Sequence, residues 1–173
     1  MNYFEFYEIP MSFEVDAKAL RKRFYALSKE YHPDFYTLES ADKQAEILRL
    51  STLNNEAYET LRNEDRRMKY ILTLREALGE EGTNKLPPVF LMEMMELNEG
   101  LMELEFDPDP AGVGKIQKEL EDKEQELRKE VTPLLNRFDA DPTTKEGLDG
   151  VVNYYLKKRY LLRIRENLGK FAE

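Results

Sequence analysis

The sequence predicts an all-α chain in two helical units, and three observations carry that prediction. Apolar residues recur at spacings of three and four along most of its 173 residues, the period of an amphipathic helix. No strand-like alternation runs long enough to compete. Gly79-Glu80-Glu81-Gly82-Thr83-Asn84-Lys85-Leu86-Pro87-Pro88 sets two Gly and two Pro among polar residues, which reads as a linker. The expected organisation is therefore 1–78, a linker 79–88, and 89–173.

In chain order, Phe4, Phe6, Tyr7 and Ile9 form a short apolar start closed by Pro10. Asp16 is a candidate cap for a helix reaching about Tyr31. Leu20, Phe24, Leu27 and Tyr31 lie on one of its faces, and Lys18, Arg21, Lys22, Tyr25 and Lys29 on the other. Pro33 disfavours helical geometry at His32, so the helix stops there. Ser40 caps the next pattern, about Ala41 to Arg62, with Ile47, Leu50, Leu53, Asn54, Ala57, Tyr58 and Leu61 as its stripe. Buried, Asn54 requires hydrogen-bond partners. A further helix from about Asp65 to Leu78 is expected to stop at Gly79.

Beyond the linker, Val89–Phe106 reads as a helix broken by Asp107-Pro108-Asp109-Pro110. A second runs from about Gly114 to Phe138, with Ile116, Leu120, Leu127, Val131, Leu134 and Phe138 inward; Pro133 predicts a kink or break in it. A third, about Thr144 to Leu168, turns Leu148, Val151, Val152, Tyr155 and Leu162 inward. Together they predict an antiparallel three-helix bundle.

The charge balance, 35 acids against 26 bases, is uneven. Residues 1–78 hold 14 acids and 12 bases, net −2; the rest hold 35 − 14 = 21 acids and 26 − 12 = 14 bases, net −7. That argues against nucleic acid or an anionic membrane as the main partner. Lys157, Lys158, Arg159, Arg163 and Arg165 read as bases offsetting a helix dipole. With no Cys, disulfides and thiolate ligation of zinc or an iron–sulfur cluster are excluded for these residues. No apolar run reaches the roughly 18 residues of a membrane span, and Met1-Asn2-Tyr3-Phe4-Glu5 is unlike a signal peptide. The expectation is a soluble, cytoplasmic protein. No nucleophile set, metal set or phosphate loop is visible, so no enzyme activity, cofactor or metal is expected.

The chain's single histidine lies in Tyr31-His32-Pro33-Asp34, between two helical patterns. A helix, a His-Pro-Asp turn and a second helix resemble the J-domain, the module that recruits and activates DnaK-type ATPase chaperones. Leu53-Asn54-Asn55-Glu56-Ala57-Tyr58-Glu59-Thr60-Leu61 resembles its third helix and Arg66-Arg67-Met68-Lys69-Tyr70 its fourth. The resemblance implies that His32, Pro33 and Asp34 engage the ATPase, with Arg21, Lys22 and Lys29 as the docking surface. The chain departs from many J-domains by following the turn with Phe35-Tyr36 rather than a basic residue. Tyr25 and Ala26 also leave the basic face thinner.

The helix opening Phe90-Leu91-Met92-Glu93 carries two stripes. Phe90, Met94, Leu97, Leu101 and Leu104 fall within about 80° of one another. Leu91, Met95 and Met102 lie roughly opposite, beside Met92, Glu96, Glu99 and Glu103. The second stripe is either wrapped by the other helices or forms a Met-rich docking face edged with carboxylates. A J-domain linked to an acidic three-helix domain, with Met1-Asn2-Tyr3-Phe4 at its start, resembles the HscB-type co-chaperones of iron–sulfur cluster biogenesis. That resemblance implies binding of an IscU-type scaffold by Leu91, Met92, Met95, Glu96, Glu99, Glu103 and Tyr160, and delivery of it to a DnaK/HscA-type ATPase. Met95 stands where Leu is expected and Tyr160 where Phe is expected. Gly100 inside the helix costs up to about 1 kcal/mol against Ala. Two rival readings are a J-domain co-chaperone for another client and a helical adaptor that is no chaperone.

Overall fold

All regular structure is helical in the computed structural model, which describes residues 1–80 and 84–171. The chain divides into two units, Met1–Ile71 and Leu72 onward. Glu81, Gly82 and Thr83 of the expected linker lie outside the described residues.

In the first unit, Asn2 and Glu5 form a capping box around helix α1 (Tyr3–Phe6). Tyr3 stacks on Tyr70 of helix α4 (Glu64–Leu74) at 4.6 Å, and its N–H donates to the Tyr70 hydroxyl. Asp16 caps helix α2 (Ala17–Glu30) by accepting from Lys18 and Ala19 N–H, as the sequence suggested. Ser40 caps helix α3 (Ala41–Leu61) by accepting from Lys43 N–H. Phe24 stacks on Tyr58 and Ser28 meets Asn54; residue numbers fall along α3 as they rise along α2, so the pair is antiparallel.

Asn54 is buried and its polar atoms are used. Its Nδ2 donates to the Phe24 carbonyl and to Ser28 Oγ, and its Oδ1 accepts from the Tyr7 hydroxyl at 2.8 Å. One amide thus ties the start of the chain, α2 and α3 together. Buried polar groups satisfied in this way fix a unique packing. α4 ends at Leu74, earlier than expected. Glu76 takes a left-handed φ of 55°, and Ala77 and Leu78 N–H both return to the Leu72 carbonyl. That closure stands where Gly79 was expected to act.

The second unit is a bundle of α5 (Pro88–Phe106), α6 (Pro110–Ala140) and α7 (Leu148–Gly169). Gly100 faces Ile116, and Glu93 pairs with Lys123, so α5 and α6 run antiparallel. A Cβ on Gly100 would lie 3.1 Å from Ile116 Cδ1: its missing side chain permits close approach of the two helices.

Several expectations in this unit are corrected. α6 starts at Pro110 rather than Gly114, because Asp109 caps it and Pro110 occupies the first turn, where proline's missing N–H costs nothing. It also runs through the exposed Pro133 with no break in the helix. Its buried residue is Leu135, not Leu134. Leu134 instead packs its methyls against the start of α7, at Gly147 (φ +84°) and Gly150, where a Cβ would crowd them. In α7 the helix starts at Leu148, and Leu161 is buried while Leu162 is exposed. α7 is covered by two neighbours, which widens its buried arc to include Tyr154, Leu161 and Ile164.

Candidate functional site

The first site is the turn after α2. His32 caps a single 3₁₀ turn over Pro33–Tyr36, and its Nδ1 accepts from Asp34 N–H at 3.2 Å. Asp34 Oδ2 lies 3.7 Å from the same nitrogen. The side chains of His32 and Asp34 are both exposed. Tyr36 locks the turn from behind by donating its hydroxyl to the Glu30 carbonyl at 2.7 Å. Gln44 of α3 donates to the Thr37 and Glu39 carbonyls. The turn is therefore exposed but fastened to both flanking helices.

Arg21, Lys22 and Lys29 are all exposed on one face of α2. Lys29 lies within a turn of His32, whereas Arg21 and Lys22 lie about 11 Å further along the axis. The structure thus brings the six residues into one strip rather than one cluster. Arg23, by contrast, turns away to pair with Glu8 at 2.7 Å. Beside the turn a groove of about 360 Å³ runs from Pro33 and Asp34 to Ile47 and Leu48. Leu48 in its lining is exposed, and so is Phe35, the departure noted after Asp34.

The second site is the outward face of α5. Phe90, Met94, Leu97, Leu101 and Leu104 are buried, as read from the sequence. Leu91, Met92, Met95 and Met102 remain 41, 68, 57 and 59% exposed with the bundle complete. Glu96, Glu99 and Glu103 are exposed beside them. The wrapping alternative is thereby removed: the other two helices do not cover this stripe.

Polar contacts fix the edges of that face. On the α6 side, Glu93 accepts from Lys123 at 2.6 Å, and Glu96 and Glu103 border a groove of about 250 Å³ floored by Gly100 and Ile116. On the α7 side, Asn98 donates to the Tyr160 hydroxyl at 2.8 Å, and the Tyr160 ring meets Phe90 edge-on at 5.6 Å. Asn98 lies about 20° around the helix from Leu91, so Tyr160 borders the Leu91 edge. Its hydroxyl, the departure from Phe, is satisfied inside the unit. Asn98 was missed as that partner, and so was Phe106, 87% exposed. A wheel extended to the last residue of α5 places Phe106 between Met95 and Glu99.

Two units of helices, one bearing a fastened His-Pro-Asp turn and one an uncovered apolar–acidic face, give this all-α chain the layout of the J-domain co-chaperones it resembles. The comparisons agree. Residues 86–169 match the family model described as the HSCB C-terminal oligomerisation domain. The co-chaperone protein HscB homolog of Shewanella halifaxensis is 32% identical over 145 residues, 82% of this chain and 83% of that protein. The homolog from Vibrio cholerae serotype O1 (strain M66-2) is 38% identical over 112 residues, so the match spans 64% of this chain and 65% of that relative's length. Among solved structures, chaperone HscB from Vibrio cholerae has a TM-score of 0.71 at 26% identity, covering 98% of this chain and 96% of that one. Human co-chaperone protein HscB has a TM-score of 0.76 at 28% identity, covering 98% and 81%. The chain belongs to the HscB co-chaperone family. No helix among the described residues is long and apolar enough to cross a membrane.

Proposed function

We propose that the protein couples ATP hydrolysis by a DnaK/HscA-type chaperone to capture of an IscU-type iron–sulfur scaffold. Residues 1–78 act on the ATPase: His32, Pro33 and Asp34 make the triggering contact, and Arg21, Lys22 and Lys29 steer approach. Residues 89–173 present the scaffold through Leu91, Met92, Met95, Glu96, Glu99, Glu103 and Tyr160, with 79–88 as the tether. Tethering raises the effective concentration of each partner for the other. The protein itself performs no covalent chemistry in this scheme.

The observation that carries the reading is the exposure of the second α5 stripe. A helix buried on one side and apolar on the other leaves area that only a partner can cover. The carboxylates at its rim favour a partner with a basic border. The test is steady-state ATP hydrolysis by the chaperone with this protein, with and without the scaffold. Stimulation by the protein alone and a further rise with scaffold are expected. Stimulation that ignores the scaffold points to a different client; none at all leaves a helical adaptor. The description of the matching domain as an oligomerisation domain favours a second occupant for the α5 face, another copy of this chain. Sedimentation of the protein at increasing concentration, with Met95→Glu as control, separates the two.

A further inference from the structure

Four of the seven methionines lie in α5, and no cysteine accompanies them in the 173 residues. Met92, Met95 and Met102 stand exposed on the outward face, while Met94, and Met68 in the first unit, are 2% exposed. From this partition we infer that the α5 face is a redox-sensitive modification site. A peroxide converts Met92, Met95 and Met102 to sulfoxides, and the modified face releases its partner. The inference rests on the docking reading above.

The chemistry needs only hydrogen peroxide. The thioether sulfur attacks one peroxide oxygen, the S–O bond forms and the O–O bond breaks. Sulfur gives up two electrons, and the departing hydroxide takes the proton left on the transferred oxygen to become water. Access selects which sulfurs react, so the three outward methionines precede Met94 and Met68. With no thiol in the sequence, the thioethers are its only sulfur.

The product is a poor fit to the face that formed it. A sulfoxide oxygen is a hydrogen-bond acceptor, and the ionised side chains beside it, Glu96, Glu99 and Glu103, are acceptors only. Asn98 already donates to the Tyr160 hydroxyl at the α7 border of the face. A partner's basic border is drawn to the rim carboxylates, so closing its apolar side chains over the face buries S=O groups at a cost. Leucine at the same positions would offer similar apolar area without the reactive sulfur. Methionine sulfoxide reductases reverse the change with a dithiol, which becomes a disulfide as the oxygen leaves in water.

The test compares scaffold binding by wild type and by M92L/M95L/M102L, before and after hydrogen peroxide, with sulfoxides located by peptide mass spectrometry. Each protein is compared with its own untreated affinity, because Met92 and Met95 belong to the docking face. Oxidised wild type should lose about tenfold or more in affinity while its helical circular dichroism and melting temperature hold. The oxidised variant should keep its affinity although Met1 and Met11 still react. Bound scaffold should slow oxidation at the three sites, and reductase treatment should restore binding. If wild type carrying all three sulfoxides binds as before, if those sites react no faster than Met94, or if the variant loses affinity equally, the switch is overturned. A melted bundle after oxidation also overturns it. Untreated wild type that fails to bind scaffold overturns the docking reading instead.

Discussion

The His32–Asp34 turn and the outward face of α5 both combine exposure with order, by opposite means. The turn is held by short polar contacts: Asp34 N–H to His32, Tyr36 to Glu30, Gln44 to Thr37 and Glu39. The α5 stripe is held by the burial of the other side of its own helix. Met94 and Met95 are sequence neighbours, yet one is 2% and the other 57% exposed. At the turn, then, position along the chain separates function from fold. On α5 the angle around the axis separates them, and substitutions one residue apart should report on different things.

The largest effect is expected at the turn. His32→Gln should reduce stimulation of the ATPase to the basal rate and shift unfolding by less than about 1 kcal/mol, the scale of one capping contact. Asp34→Asn should do the same, since its carboxylate faces solvent and makes no buried contact. Steady-state hydrolysis and denaturant titration check both. Full stimulation by either variant, or unfolding of the first unit, would break the assignment.

Next in size is the contrast across α5. Leu91→Ala with Met95→Ala should weaken scaffold binding by about 3–4 kcal/mol, taking roughly 60–80 Å² of lost contact per side chain at about 25 cal/mol per Å². That is two to three orders of magnitude in affinity, with J-domain stimulation of the ATPase intact. Leu97→Ala, on the buried stripe, should cost about 2–5 kcal/mol of stability instead. Calorimetric binding and thermal melts on all three proteins decide it. Should the Leu91/Met95 variant melt like the Leu97 variant, the stripe is core and the docking face does not exist.

The first unit's stability should rest on the Asn54 network rather than on the turn, and alkaline pH tests that. Burial, then the neighbouring Tyr58, pushes the Tyr7 hydroxyl far above its ordinary value. Burial likewise raises Tyr3, Tyr31 and Tyr70, all in this unit. Above the unfolded value of about 10, the unfolded chain sheds phenolic protons that the folded unit keeps. Stability is thus fully present below pH ~10 and falls as pH rises beyond it. Denaturant unfolding between pH 8 and 11 should show the decline, and Tyr7→Phe should make it shallower at the cost of one donor to Asn54. An unchanged slope in that variant would remove Tyr7 from the account.

Most of the fold was legible because its signals are local. Asp16 and Ser40 cap the helices they were expected to cap, and the Phe90–Leu104 stripe is buried residue for residue. The His-Pro-Asp turn was legible because Pro33 stops a helix whose two faces are already distinct. What escaped depends on neighbours that periodicity does not see. Leu134 and Leu135 both continue the α6 stripe, and only the glycines opposite decide that Leu134 serves the start of α7. Leu161 replaces Leu162 because the buried arc of α7 moves around the helix towards its C-terminal half, to Leu161, Ile164 and Leu168. Asn98 gives no periodic signal of its own, and its partner Tyr160 lies 62 residues away.

That last pair marks the border between the two faces of α5, and the smallest predicted effect tests it. Tyr160→Phe removes the acceptor for Asn98 but keeps the ring that meets Phe90. The bond is part-buried, so its loss should lower the stability of the second unit by about 0.5–1.5 kcal/mol. Scaffold affinity should change by less than about threefold, since the apolar ring edge remains beside Leu91 and one lost contact of this kind converts to little. Tyr160→Ala should lose both bond and ring, and lower affinity clearly more than the Phe variant does. Thermal melts and binding titrations on the two variants, run with the Leu91/Met95 variant, place Tyr160 on one side of the border. If Tyr160→Phe weakens scaffold binding as strongly as Tyr160→Ala, the hydroxyl itself meets the partner, and its bond to Asn98 must open on docking.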